Sequence, residues 1–271
     1  MMRALWTAAT GMSSQQTNVD TISNNIANIN TTGYKKETAE FKSLYYQTIQ
    51  QTSTDNEGNL KPVAAQVGLG VRNSAITSRF EQGALTETGN YLDLAVSGNG
   101  FFAVKLNDGS VAYTRSGAFN ASVTANGTTI CDSDGNPLLD TLGNAIEIPF
   151  GMDISKISID AGGVISIPDA NGNYQSTGIQ VAMYQFANPA GLEKVGNSNF
   201  KESQVSGAPQ LESESEGLSA STIRQGYLES SNVQSVDEMV NLIVAQRAYE
   251  MNSKIISASD SMLQQANNLR G

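Results

Sequence analysis

Apolar residues step along the start of the chain at alternating intervals of three and four: Leu5, Ala8, Met12, Val19, Ile22, Ile26 and Ile29, with Gln15 as the polar member. Such a stripe is the a/d seam of a heptad helix, narrower than the apolar face of a helix laid on a globular core. The pattern predicts a helix running to Thr31-Thr32-Gly33, with Gly33 as a left-handed cap. The same stepping returns near the other end at Val244, Ala248, Met251, Ile255, Ala258, Met262 and Leu269, with Gln265 in the seam. Ser235-Val236-Asp237-Glu238 reads as a capping box opening this second helix. At 1.5 Å per residue the two helices span about 37 Å and about 50 Å. Two amphipathic helices packed on a globular core is the plainer reading. The narrow seams, and their place at the chain ends, favour helices paired as a coiled coil through which copies of the chain self-assemble. Gln15 and Gln265 are placed to fix register.

Between the helices the period changes to two. Phe102, Val104 and Leu106 alternate up to Asn107-Asp108-Gly109, a hairpin turn, and Val111 and Tyr113 return. Ile157 and Ile159 precede Ala161-Gly162-Gly163, and Ile165 and Ile167 follow it; Ile179, Val181 and Met183 predict a further strand. Short strands with glycine-rich turns predict an antiparallel sandwich or barrel-like domain. Residues 50–62 are polar and aperiodic and read as a long loop, and the Ser- and Glu-rich stretch 202–221 reads as a return toward the last helix. The fold class expected is α+β. Residues 1–33 with 234–271 form a helical coiled-coil domain, 34–75 with 215–233 a connecting segment, and 76–214 a β domain.

Composition narrows the function. The 271 residues carry a net charge of −10, and no cationic stripe is present to bind nucleic acid phosphates. Histidine is absent, which removes the commonest general base and the commonest metal ligand. Cys131 is the one cysteine, so an intramolecular disulfide is impossible and a nucleophilic thiol would lack its imidazole partner. No apolar run reaches the length of a membrane span, and the N-terminal residues turn polar by Ser13 without the apolar core of a secretory signal. The reading is of a chain without membrane insertion, exported, if at all, by a route that cleaves no leader.

Candidate chemistry fares poorly. Asp132-Ser133-Asp134-Gly135-Asn136 lacks the ligand spacing of a calcium loop and reads as a turn, as does Asp169-Ala170-Asn171-Gly172-Asn173. Asn126-Gly127-Thr128 matches a glycosylation sequon but equally a hairpin turn. Glu212, Glu214 and Glu216 alternate, and paired carboxylates can cleave glycosides such as peptidoglycan, but they need rigid and unequal surroundings that a solvated loop does not supply. Gly68-Leu69-Gly70 and Gly98-Asn99-Gly100 do not complete a nucleotide-binding fingerprint. The screen leaves no catalytic residue, cofactor or metal site, and a structural protein is favoured over an enzyme or a free-standing binding module.

Four stretches resemble a known family. The segment Ser23-Asn24-Asn25-Ile26-Ala27-Asn28-Ile29-Asn30-Thr31-Thr32-Gly33-Tyr34-Lys35 resembles the N-terminal signature of the bacterial flagellar rod and hook axial proteins. Ser231-Asn232-Val233, Glu238-Met239-Val240 and Gln246-Arg247-Ala248-Tyr249-Glu250 resemble its C-terminal signature. Leu92 to Phe102 and Tyr113-Thr114-Arg115-Ser116-Gly117 are similar to its central β motifs. The length, with Tyr46-Gln47-Thr48-Ile49-Gln50 and Gln66-Val67-Gly68-Leu69-Gly70-Val71-Arg72, is most similar to the distal-rod branch. The resemblance implies a helical homopolymer that joins proximal rod proteins to the hook protein, turns inside the P and L rings between periplasm and outer membrane, and is delivered by the flagellar type III export apparatus. It implies that the terminal helices line an inner tube and the β domain faces outward. Asn24, Asn25, Asn28, Gly33, Tyr34, Asn232, Gln246, Arg247 and Tyr249 carry the family pattern.

Overall fold

A computed structural model describes residues 2–50, 65–124, 127–149, 156–168, 174–215 and 217–269. The chain divides into two compact units: residues 1–27, 37–78 and 234–271 form the first, and residues 28–36 and 79–233 the second.

The first unit holds both long helices. Helix α1 spans Met2–Ala27 and helix α2 spans Ser235–Asn268. Helix α1 stops sooner than the heptad pattern predicts: residues 28–30 leave the helix as a turn, so Ile29 lies beyond its end. Asn28 explains the stop, because its carbonyl and side-chain oxygens accept from the amide and hydroxyl of Thr31 and close a turn that competes with the helix. Helix α2 opens without the expected capping box. Gln234 is the N-cap and makes no side-chain capping bond. Asp237 and Glu238 still place negative charge in the first turn, where the helix dipole favours it.

Two antiparallel strand pairs complete this unit. Strand β1 (Glu37–Ser43) pairs with β4 (Val71–Ser78), with a bulge between Glu40 and Phe41. Strands β2 (Tyr46–Gln50) and β3 (Ala65–Gly68) pair as the arms of a hairpin. The predicted loop lies between these arms, and its residues 51–62 are outside the described ones.

The second unit is antiparallel β. Strands β5 (Leu85–Glu87), β6 (Leu94–Ser97), β7 (Phe101–Lys105) and β8 (Val111–Thr114) open it. A six-stranded sheet runs in the order Glu193–Gly196, Asn199–Lys201, β8, β7, Met183–Gln185, Gln210–Leu211. Two three-stranded sheets flank it, built on Thr128–Cys131 and Val164–Pro168. Among the described residues the strands form open antiparallel sheets and not a closed barrel. Strand β7 is buried on both faces: Phe102 and Val104 join the larger core with Leu94, Val96, Phe119 and Leu138, while Phe101 and Ala103 face a second core with Tyr113, Phe186 and Phe200. That double burial explains a continuous Phe-Phe-Ala-Val run where a half-exposed strand would alternate with polar residues. The strand expected over Ile179, Val181 and Met183 is two strands, Tyr174–Gln180 and Met183–Gln185, in different sheets. The alternation continues through the switch because Val181 still bridges to Asp140.

Candidate self-assembly surface

Helix α1 lies against α2 on one side and against β1 and β4 on another. Toward the strands it offers hydroxyls: Thr10 Oγ1 accepts from the Val71 amide at 3.4 Å and Thr17 Oγ1 from Asn73 Nδ2 at 2.7 Å. Toward α2 it offers small and polar side chains. Asn25 Nδ2 donates to Glu238 Oε2 at 3.1 Å, and both residues are buried. Two heptads back along α1, a Cβ on Gly11 would lie 2.9 Å from Asn252 Nδ2, two heptads on along α2. The helices therefore run antiparallel and approach closely enough that a larger residue at Gly11 would collide. On α2 the residues facing inward are Glu238, Ala245 and Ser259, with Leu242, Asn252, Ile256 and Leu263 half-buried.

This close pairing leaves a different stripe of α2 on solvent. Val244 is 62% exposed, Met251 59%, Ile255 46%, Met262 49% and Leu269 90%. Ala248 is half-buried. On α1, Ile22 is buried and Leu5, Met12, Val19 and Ile26 are half-buried. The heptad positions expected to form a seam are thus largely covered on α1 and largely open on α2. Val236, Met239, Val240 and Ile243 extend the exposed apolar surface toward the start of α2. An apolar stripe of this length on a water-facing helix marks an interaction surface. No helix among the described residues is long and apolar enough to cross a membrane.

The second unit is fastened by a buried ionic cluster. Lys35 Nζ lies 2.6 Å from Glu229 Oε1 and donates to the Glu81 carbonyl at 2.8 Å. The Gly83 amide also donates to Glu229 Oε1, at 2.8 Å, and Arg115 Nη1 stands 3.6 Å from Glu229 Oε2. All three charged side chains are almost fully buried. The Arg115 guanidinium sits 4.8 Å over the Phe101 ring, a cation–π contact that partly replaces water. Burial pulls the Lys35 ammonium below the usual lysine range, and the Glu229 carboxylate opposes that pull. Nearby, Asn232 Oδ1 accepts from the Lys36 amide at 2.7 Å, and Asn232 Nδ2 donates to the carbonyls of Arg79 and Glu81. Cluster and amide together tie four chain segments of this unit.

The comparisons follow this layout. Residues 5–35 match the family described as flagella basal body rod protein, residues 95–167 the flagellar hook protein FlgE/F/G D1 domain, and residues 224–269 the flagellar basal body rod FlgEFG protein C-terminal. The flagellar basal-body rod protein FlgG of Borreliella burgdorferi is 43% identical over 276 residues, covering 100% of this chain and 99% of that protein. FlgG of Agrobacterium fabrum is 44% identical, covering 96% of this chain and 97% of that protein. The chain belongs to the flagellar basal-body rod FlgG family. A second type of relative, the flagellar hook-basal body complex protein FlhP of Bacillus subtilis, is 33% identical over the full length of both chains.

Within this FlgG-family chain the motif residues take different parts. Asn25 joins the two helices, and Asn232 joins segments of the β unit. Gly33 has φ +67, its amide donates to the Glu229 carbonyl, and a Cβ there would meet Ser116 N at 2.5 Å. Tyr34 is half-buried beside it, and Asn28 closes the turn after α1. Asn24, Gln246 and Arg247 are exposed on their helices, Tyr249 is 41% exposed, and Arg247 pairs with Glu250 at 3.2 Å. Sequence reasoning missed the partnership of Glu229 and Arg115 with Lys35. It also treated Glu212 as part of a solvated loop. Glu212 in fact accepts from the Ser221 amide, the Ser221 hydroxyl and Gln185 Nε2, which fixes the stretch onto the sheet. Glu216 lies outside the described residues.

Proposed function

We propose that this chain is a non-catalytic structural subunit of the flagellar distal rod, which polymerises into a rigid helical tube, carries motor torque to the hook and encloses the export channel. The observation that carries this reading is the exposed apolar stripe of α2, lying on a helix whose opposite side is already occupied by α1. A stripe of Val244, Met251, Ile255 and Met262 is costly in water and gains its burial from neighbouring copies. Contacts between unlike surfaces that do not close into a ring generate a helical filament.

In this reading residues 1–33 and 234–271 pair as a coiled coil and line the inner tube. Residues 34–75 with 215–233 connect, and residues 76–214 face outward toward the P and L rings. Two inter-helix contacts placed two heptads apart on both helices support the coiled-coil description. Proximal rod proteins and the hook protein meet the ends of the polymer. The subunit reaches the space between periplasm and outer membrane through the type III apparatus. Another rod or short hook-like protein is the second reading, since the FlgE/F/G D1 match over residues 95–167 is shared by hook and rod proteins.

The test replaces Met251 and Ile255 together with Asp. Because both side chains are exposed, the purified subunit keeps its helical circular dichroism, while tube formation seen by electron microscopy is abolished. Tubes of normal appearance from that variant refute the stripe as the polymer contact.

A further inference from the structure

Assembly through the outer stripe of α2 requires α1 and α2 to hold one register, because sliding by one heptad displaces the stripe about 10 Å along the axis. The packing itself rules out a slide in one direction only. Gly11, Asn18 and Asn25 are spaced by heptads on α1, and Glu238, Ala245, Asn252 and Ser259 on α2. With Asn25 beside Glu238 and Gly11 beside Asn252, Asn18 falls at the level of Ala245. A one-heptad slide in one direction sets Asn18 by Glu238 and Gly11 by Ala245. The other direction sets Asn18 by Asn252 and Gly11 by Ser259. The second slide brings Asn18, larger than glycine, to the level of Asn252 where only Gly11 fits, and meets a steric wall; the first pairs small or polar residues in both layers and meets none.

Asn25 distinguishes these registers. It is 1% exposed. Its Oδ1 accepts from the Glu37 amide at 2.9 Å, and its Nδ2 donates to the Glu37 carbonyl at 2.8 Å and to Glu238 Oε2 at 3.1 Å. One amide thus holds the last turn of α1, the first residue of β1 and the first turn of α2. Asn18, two turns back within the helix and bonded to Gln15, lacks the adjoining Glu37 backbone and cannot reproduce the set. A buried polar residue at a helix seam is the best-attested way to specify register, and it does so at some cost in stability.

We propose that Asn25 is the register-setting residue of the terminal helix pair: its side-chain amide clamps Glu238 against the start of β1 and so fixes which face of α2 is offered to neighbouring copies. The proposal rests on the assembly reading for its consequence but is tested on the single subunit. Full-length protein with Cys131→Ala, Gln16→Cys and Ser253→Cys carries two nitroxide labels at exposed sites, and double electron–electron resonance measures their separation. The parent gives one narrow distance, and so does Glu238→Gln, which keeps an acceptor for Asn25 Nδ2. Asn25→Leu with Glu238→Leu keeps the helices but splits or shifts the distance, in keeping with a slide of about 10 Å along the axis. A single parental distance in the leucine pair overturns the proposal. Loss of the helices in that variant overturns it as well, since a group that only sets register can be exchanged for apolar contacts without unfolding. A shift in Glu238→Gln assigns the register to charge and overturns the hydrogen-bond geometry. Absence of tubes from the parent protein, with its narrow distance intact, removes the assembly reading and leaves the register assignment standing.

Discussion

Gly33 shows how one residue can be committed twice. Its φ of +67 suits glycine, and its α-carbon lies so near the backbone of Arg115 and Ser116 that a methyl group has no room. Gly33→Ala is therefore expected to destabilise the β unit by roughly 2–4 kcal/mol, above the usual conformational penalty alone, as read from denaturant unfolding. Glu229 is as exacting. Glu229→Gln leaves Lys35 and Arg115 buried without their counter-charge and should cost about 3–5 kcal/mol, while replacing all three together, Lys35→Met, Arg115→Met and Glu229→Leu, should cost less. Tyr113 gives a pH signature. Burial, then the Glu202 carboxylate and Tyr184, hold its phenol above the ordinary value of 10.0. Above that value the unfolded chain releases a proton that the folded chain keeps, so stability present at lower pH is lost as pH rises. Lys35, whose value is lowered by burial, works in the opposite sense as pH approaches 10.5. The difference between wild type and Tyr113→Phe isolates the phenol: the fall in unfolding midpoint from pH about 9 to about 11 should be shallower in Tyr113→Phe.

At the scale of elements, the α1–α2 pair depends on close approach more than on apolar bulk. Gly11→Leu should force the helices apart, lower the melting of the helical signal and leave the β unit's own transition in place. Both helices were legible in the sequence because the heptad rhythm is long and uninterrupted. Which side of α2 meets α1 was not legible, since on the inward side Leu242, Ile256 and Leu263 are interrupted by Glu238, Asn252 and Ser259, and the longer unbroken periodicity follows the outer stripe. Strands bounding tight turns, such as β7 and β8 around Asn107-Asp108-Gly109, were readable from alternation and turn chemistry. The division between Gln180 and Met183 was not, because a strand that changes sheet keeps its alternation. Glu229 gave no local sign of burial, as its partner Lys35 is 194 residues away in the chain. Glu238 was read as a capping residue for the same reason: its tie to Asn25 spans 213 residues.

For the whole molecule, the first and last residues belong to one unit and most of the middle to the other. Residues 28–36 and 79–233 hold their own cores and their own ionic cluster. A fragment of residues 28–233 should keep its β circular dichroism and a cooperative melt, and an unfolded fragment would show that the helices are needed to fold it. The loop expected over residues 51–61 follows β2 in the chain and lies outside the described residues. Its deletion should leave export intact and give bent, flexible rods. The family supplies the place of this chain in the flagellar basal body, and the open stripe on α2 is the means of assembly we propose. The most direct measurement is electron microscopy of the concentrated full-length protein beside the Met251→Asp, Ile255→Asp variant. Helical tubes from the first and none from the second are the result expected. Tubes from both, or a parent that stays monomeric at high concentration, would contradict the account.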